Sequence, residues 1–121
     1  MLLDSNIIIY ASKPEHHTLR EFIAANTPAV SAVSVVEVLG YHKLTAAEKA
    51  LFEAFFQAAT ILPISDAVVV QAVRLRQQQK MTLGDSLIAA AALVFARTLV
   101  THNIADFTWI PGLTLLDPLA K

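Results

Sequence analysis

The 121-residue sequence contains no cysteine, so disulfides and thiolate metal sites are excluded, while hard, oxygen-ligated cations remain possible. This composition is compatible with a reducing cytosol. Charged residues make up only 16% of the chain, and the formal net charge is -1. The overall charge therefore gives no reason to expect broad affinity for nucleic acid.

Long apolar runs are also missing. The longest, residues 87–96, stops at Arg97 and is about half as long as a membrane span. The N-terminus has neither the basic segment nor the small-residue cleavage site of a signal peptide. We therefore expect a soluble, cytoplasmic protein that has no contact with membranes.

Hydrophobic residues make up 55% of the sequence, which exceeds the roughly 45 to 50% of typical soluble domains. The excess predicts that apolar surface is buried against a partner as well as in the core. The length fits one domain spanning residues 1–121.

Short apolar segments alternate with amphipathic ones along the chain. The segments with strand character are residues 1–3, 29–33, 61–64, 99–101 and 113–116. Helices are expected at residues 5–10, 16–26, 34–41, 45–59 and 65–80, and a last helix follows residues 82–85 and continues through Arg97. This alternation predicts an α/β fold, a three-layer α/β/α sandwich with a short, mainly parallel central sheet.

Four acidic residues lie where strands end or the following helices begin: Asp4, Glu37, Asp85 and Asp106. Because ligands of open parallel sheets bind at the carboxyl ends of the strands, all four acids are expected to converge on one edge. Clustered carboxylates repel one another unless a cation such as Mg²⁺ or Mn²⁺ shares their oxygens. Asp4 needs such compensation most, because it interrupts the apolar opening segment MLLDSNIII.

A carboxylate-bound metal suits phosphate chemistry, because the ion polarises a phosphoryl oxygen and activates a bound water. Thr101 and Asn103 would add neutral hydrogen bonds to that water or to a phosphate. Without the four acids the formal charge of the remaining chain is -1 + 4 = +3. Such a mildly basic body around a metal-neutralised centre is compatible with a polyanionic substrate.

Each acid also has a purely structural interpretation. Asp4 is a favoured helix cap, and Glu37 has the spacing of a capping-box partner for Ser34. The dipole of a helix stabilises an acid such as Asp85 in its first turn, and Asp106 is typical of a turn. On the residues alone, both interpretations stay open.

Four motifs in order carry a family resemblance: LLDSNIIIYA, SAVSVVEVLGY, LGDSLIAAAAL and LVTHNIADF. Together they resemble the PIN-domain ribonucleases, especially the VapC-type toxins of toxin-antitoxin modules. The resemblance extends from Met1 to about Pro118. It implies Mg²⁺- or Mn²⁺-dependent hydrolysis of RNA, a homodimer, and inhibition by a cognate antitoxin in a groove near the active site.

By this resemblance, Asp4, Glu37 and Asp85 match the three acidic positions of the family, and Asp4 and Asp85 bind the metal. The last motif spans residues 101–107. Asn103 stands where some relatives have aspartate, so the fourth carboxylate either comes from Asp106 or is missing.

Two other functions compete with a nuclease. A haloacid-dehalogenase-like phosphatase also begins with an acid after its first strand, but it needs a second aspartate two residues later, where this chain has Asn6. A PIN-like binding module without catalysis would use its acids only as caps.

Overall fold

The structure, a computed structural model, describes residues 1–120. Its five strands are β1 (Leu2–Leu3), β2 (Ala29–Ser31), β3 (Thr60–Leu62), β4 (Leu99–Val100) and β5 (Leu115–Leu116). They form one sheet in the order β3-β2-β1-β4-β5, and every neighbouring pair is parallel. The predicted parallel sheet is confirmed.

Within residues 1–120, six α-helices and one 3-10 helix connect and cover the strands. The α-helices are α1 (Ser5–Ala11), α2 (His17–Asn26), α3 (Ala32–Leu39), α4 (Ala46–Ala58), α5 (Asp66–Gln78) and α6 (Leu83–Val94). The 3-10 helix is Ile104–Asp106 and follows β4. None of the helices in residues 1–120 is long and apolar enough to cross a bilayer.

The short central strands send successive side chains to opposite faces of the sheet. On one face Leu2 and Leu99 pack in a core with α5 and α6. On the other face Leu3 and Val100 pack in a second core with α1, α2 and α4. The sheet therefore separates two buried cores, and the predicted three-layer sandwich is confirmed.

The register of β1 and β4 determines which residues lie together at the carboxyl edge of the sheet. Leu3 pairs with Val100, so the residues that follow, Asp4 and Thr101, leave the sheet side by side. The Asp4 backbone N–H donates to the Val100 carbonyl at 2.9 Å, which holds the two chain segments together at this point.

The helix starts and ends in the structure lie within three residues of the predicted ones, and two of the differences have a local cause. Helix α3 begins at Ala32, because the Ser31 hydroxyl caps it by accepting from the Val33 N–H at 3.2 Å. Ser34 therefore lies inside the helix, and the predicted Ser34–Glu37 capping box was wrong. Helix α6 ends at Val94 rather than Arg97, since Ala96 turns into the left-handed region with φ 53°.

Candidate active site

Asp4 lies at the carboxyl end of β1, in the N-cap position of α1. Its backbone is extended, as a cap requires, yet its side chain makes no capping hydrogen bond. Instead the carboxylate is buried, with 4% of the residue exposed, and its Oδ2 accepts from the Thr101 hydroxyl at 2.8 Å. Local capping therefore does not account for this acid.

Thr101 is fully buried behind Asp4. While its hydroxyl donates to Asp4, it accepts from the backbone N–H of Asn103 at 3.0 Å. Because the hydroxyl hydrogen is committed to the carboxylate, Thr101 fixes the orientation of Asp4. The same bonds tie the chain at Asn103, whose side chain is half-buried, to the acidic edge.

Glu37 reaches the same edge from α3 through a chain of hydroxyls. The Ser5 Oγ lies 2.8 Å from the Glu37 Oε1 and 2.8 Å from the Ser34 Oγ. Since a carboxylate only accepts, Ser5 donates to Glu37 and takes its second bond from Ser34. Sequence patterns did not predict this chain of bonds, and the only available signal was the hydroxyl residue directly after Asp4.

Asp85 lies in the first turn of α6, half-buried, and Asp106 lies exposed in the 3-10 helix. Thr82 caps α6 by accepting from the Asp85 N–H at 3.1 Å. The segment around Asp106 is anchored by Phe107, which is 1% exposed, and by the Trp109 Nε1, which donates to the Asp106 carbonyl at 3.1 Å.

The electrostatics show that these carboxylates are neighbours. Burial raises the pKa of Asp4 to about 6, and the charges of Asp85 and Glu37 contribute to the rise, which the bond from Thr101 opposes. Burial also raises the pKa of Asp85, assisted by the charges of Asp106 and Glu37. Asp85 therefore lies within electrostatic reach of the other three predicted acids.

The donor set fits a hard divalent cation held in an open site. Within residues 1–120, no three His, Asp or Glu side chains are arranged to enclose a metal. Mg²⁺ does not require such a cage, because it usually binds through one or two carboxylates and keeps several waters. The ion pairs of the described residues involve none of the four acids, so no basic side chain takes the place of a cation.

An apolar groove lies at the other end of α1. Its volume is about 510 Å³, and it lies between α1, α2 and α4. The apolar residues that line it include Ile8, Ala11, Ile23, Leu51, Phe52 and Phe55. Because α1 has seven residues, the groove begins within about 10 Å of the acidic edge.

Comparison with known proteins agrees with this architecture. The family model described as PIN domain matches residues 1–108. None of the curated protein sequences matches significantly.

Three solved structures are similar over nearly the whole chain. A toxin-antitoxin complex from Klebsiella pneumoniae has a chain 28% identical, with a TM-score of 0.78 over 99% of this chain and 98% of that one. VapBC2 from Rickettsia felis, bound to a promoter DNA fragment, gives 27% identity and a TM-score of 0.82 over 95% and 96%. DNA-bound VapBC from Salmonella typhimurium shares the fold at 23% identity, with a TM-score of 0.85 over 97% and 96%.

The family match covers most of the sequence and includes all four acids. Together with the similarity to the chains from Klebsiella pneumoniae and Rickettsia felis, this match confirms the predicted resemblance, and the chain belongs to the PIN-domain family.

Proposed function

We propose that this chain is a metal-dependent endoribonuclease, which hydrolyses RNA phosphodiester bonds in the cytoplasm as the toxin of a toxin-antitoxin pair. We also propose that residues 1–121 form one functional domain. The observation that carries the proposal is the carboxylate of Asp4, which is buried at the sheet edge within electrostatic reach of Asp85 and Glu37 and has no ion-pair partner among residues 1–120. A buried, unpaired charge is costly, so its presence points to a cation in the working state.

In this proposal, Asp4 and Asp85 hold Mg²⁺ or Mn²⁺. Bound there, the ion would polarise a phosphoryl oxygen and lower the pKa of a coordinated water. Thr101 keeps Asp4 turned toward the site through its 2.8 Å bond. Glu37, oriented by Ser5, accepts the proton of the attacking water, and Asp106 adds negative charge beside Asp85.

Asn103 is the neutral polar group of the proposed site. Its backbone is fixed by Thr101, and its side chain is only partly covered. The amide is therefore available to hydrogen-bond the attacking water or a phosphate oxygen of the RNA. An amide at this position adds no further charge to a site that already repels a polyanion.

We propose that the apolar groove is the antitoxin site. Leu51, which lines it, is 52% exposed, and an apolar helix of a partner would bury this surface. The similar chain from Klebsiella pneumoniae comes from a toxin-antitoxin complex. A partner in the groove lies close enough to the acidic edge to obstruct RNA. Leu51→Glu should abolish inhibition by the antitoxin while cleavage persists.

We propose that a second copy of the chain covers the outer face of α5. Val69, Val70 and Val73 lie on one side of this helix at 45%, 50% and 50% exposure. Such an apolar stripe is typical of an interface. A homodimer by light scattering, converted to a monomer by Val73→Glu, would agree with this assignment.

A non-catalytic PIN-like binding module is the alternative function. It predicts that the acids are structural, which the missing cap bond of Asp4 argues against. The phosphatase alternative lacks its second aspartate, and the family match offers it no support.

Cleavage of a panel of structured RNAs by the purified, antitoxin-free chain tests the proposal. Cuts should require Mg²⁺ or Mn²⁺, stop with chelator, and be absent from an identically prepared Asp4→Asn variant. Equal cutting by the variant would mean that the cleavage does not depend on Asp4 and would overturn the proposed nuclease site. No cutting, together with a melting temperature indifferent to Mn²⁺, would favour the binding module.

A further inference from the structure

Gly84 lies in the first turn of α6, next to Asp85, and directly faces the Glu37 carboxylate. A Cβ built on Gly84 would overlap the Glu37 Oε2 and would lie 3.0 Å from its Cδ. The backbone of Gly84 is not left-handed, so conformation does not require glycine here. Glycine is less favourable in a helix than alanine, so Gly84 makes α6 less stable than an alanine would. Its missing side chain leaves room for the Glu37 carboxylate.

The Glu37 carboxylate is thereby confined from two sides. Its Oε1 accepts from the Ser5 hydroxyl at 2.8 Å, and its Oε2 occupies the space that a Cβ at position 84 would need. A methyl group at position 84 would push Oε2 away. Because the obstacle is the end of a flexible side chain, the fold would survive, but the carboxylate would leave Ser5 or turn from the acidic edge.

We propose that Gly84 is a positioning residue, whose missing side chain lets α6 approach α3 closely enough to keep the Glu37 carboxylate on Ser5 and beside Asp85. Its consequence for metal binding rests on the proposed function. The positioning of the Glu37 carboxylate by Gly84 does not rest on that function, because Glu37, Ser5 and Gly84 lie together without a metal. The two parts therefore need separate measurements.

The first measurement uses metal-free protein. Gly84→Ala should move the ¹³C resonance of the Glu37 side-chain carboxyl, assigned by its loss in Glu37→Gln. The melting temperature in chelator should be unchanged or higher by up to about 5 °C, because alanine favours the helix. An unmoved Glu37 resonance in a folded Gly84→Ala variant would overturn the proposal, whatever the enzyme does.

The second measurement is the Mn²⁺ dissociation constant by calorimetry. Gly84→Ala should weaken binding by about 10- to 100-fold, the usual loss when a supporting group of a metal site is disturbed. In a Glu37→Ala background the same substitution should have no effect, since the side chain it displaces is absent.

The outcomes separate the two claims. A weakened affinity that persists in the Glu37→Ala background would show that Gly84 acts on something else, and would overturn the proposal. If the parent binds no Mn²⁺ while the Glu37 resonance still moves, the proposed nuclease function fails and the positioning of Glu37 by Gly84 stands.

Discussion

Helices α4 and α6 begin with the same local pattern, yet their acids have opposite environments. Thr45 and Thr82 each cap their helix by accepting at 3.1 Å from the N–H of an acid three residues later. Glu48 completes the capping box by accepting from the Thr45 N–H at 3.0 Å, and this bond lowers its pKa. Asp85 makes no such return bond in the described structure, and burial raises its pKa.

The difference lies in what each helix start faces. Glu48 is exposed to solvent, and its carboxylate stabilises the start of α4 by completing the capping box. Asp85 faces the carboxyl edge of the sheet, where Glu37 and Asp106 are also negative. Asp85 lacks the backbone bond of a capping box, keeps the Thr82 hydroxyl as a local partner and lies among like charges, an arrangement better explained by function than by stability.

Removing the charge of Asp85 and removing that of Glu48 should differ most in their effect on RNA cleavage. Asp85→Asn should lower RNA cleavage by at least about 100-fold, since disturbing only a supporting group of a metal site costs 10- to 100-fold. Its melting temperature in chelator should not fall, because repulsion is relieved. Glu48→Ala, the matched control, should cleave RNA at the rate of the parent and melt at a lower temperature. Normal cleavage by Asp85→Asn would remove Asp85 from the site.

Stability should depend on pH in opposite directions for the two kinds of acid. Because the folded pKa of Asp4 is about 6 against 3.8 ordinarily, the folded state binds the proton more tightly. The free energy of unfolding should therefore fall by about 2 kcal/mol as pH rises from about 4 to 6 in metal-free protein, and by about 3 kcal/mol over the whole titration.

Asp4→Asn should remove that fall and leave the mutant more stable than the parent at pH 7.5. Glu48 has a lowered pKa, so its contribution is present above its ordinary pKa and is lost on acidification. Denaturant unfolding across pH 3.5 to 7.5 measures both trends. A parent curve parallel to that of Asp4→Asn would show that Asp4 carries no such penalty.

Divalent metal should cancel the repulsion. At a concentration 100 times its dissociation constant, Mn²⁺ should raise the free energy of unfolding by about 2.7 kcal/mol in the parent and in Glu48→Ala. Asp4→Asn should lose most of this gain, and the measurement is the melting temperature against Mn²⁺ concentration. Equal stabilisation of all three proteins would place the ion elsewhere.

Sequence patterns predicted the layers well, because alternation of short apolar strands with helices leaves few arrangements other than a parallel sheet. They also predicted that Asp4 and Thr101 share an edge, since Asp4 follows the first strand and Thr101 ends the strand predicted at residues 99–101. The features that sequence patterns missed depend on where each strand ends in the folded sheet. Ser31 caps α3 instead of Ser34 because β2 ends two residues earlier than predicted, and this shift frees Glu37 to bond Ser5.

The last comparison concerns the caps themselves. Thr45→Ala and Thr82→Ala each remove one hydroxyl that accepts a backbone N–H, so each should destabilise the protein by about 1 kcal/mol. Only Thr82→Ala should also reduce cleavage, because the first turn of α6 carries both Asp85 and Gly84 against Glu37. Melting and cleavage assays on the two variants together test this. If the two variants cleave RNA equally well and are equally stable, the Thr82 cap stabilises α6 without affecting the site, as the Thr45 cap does in α4.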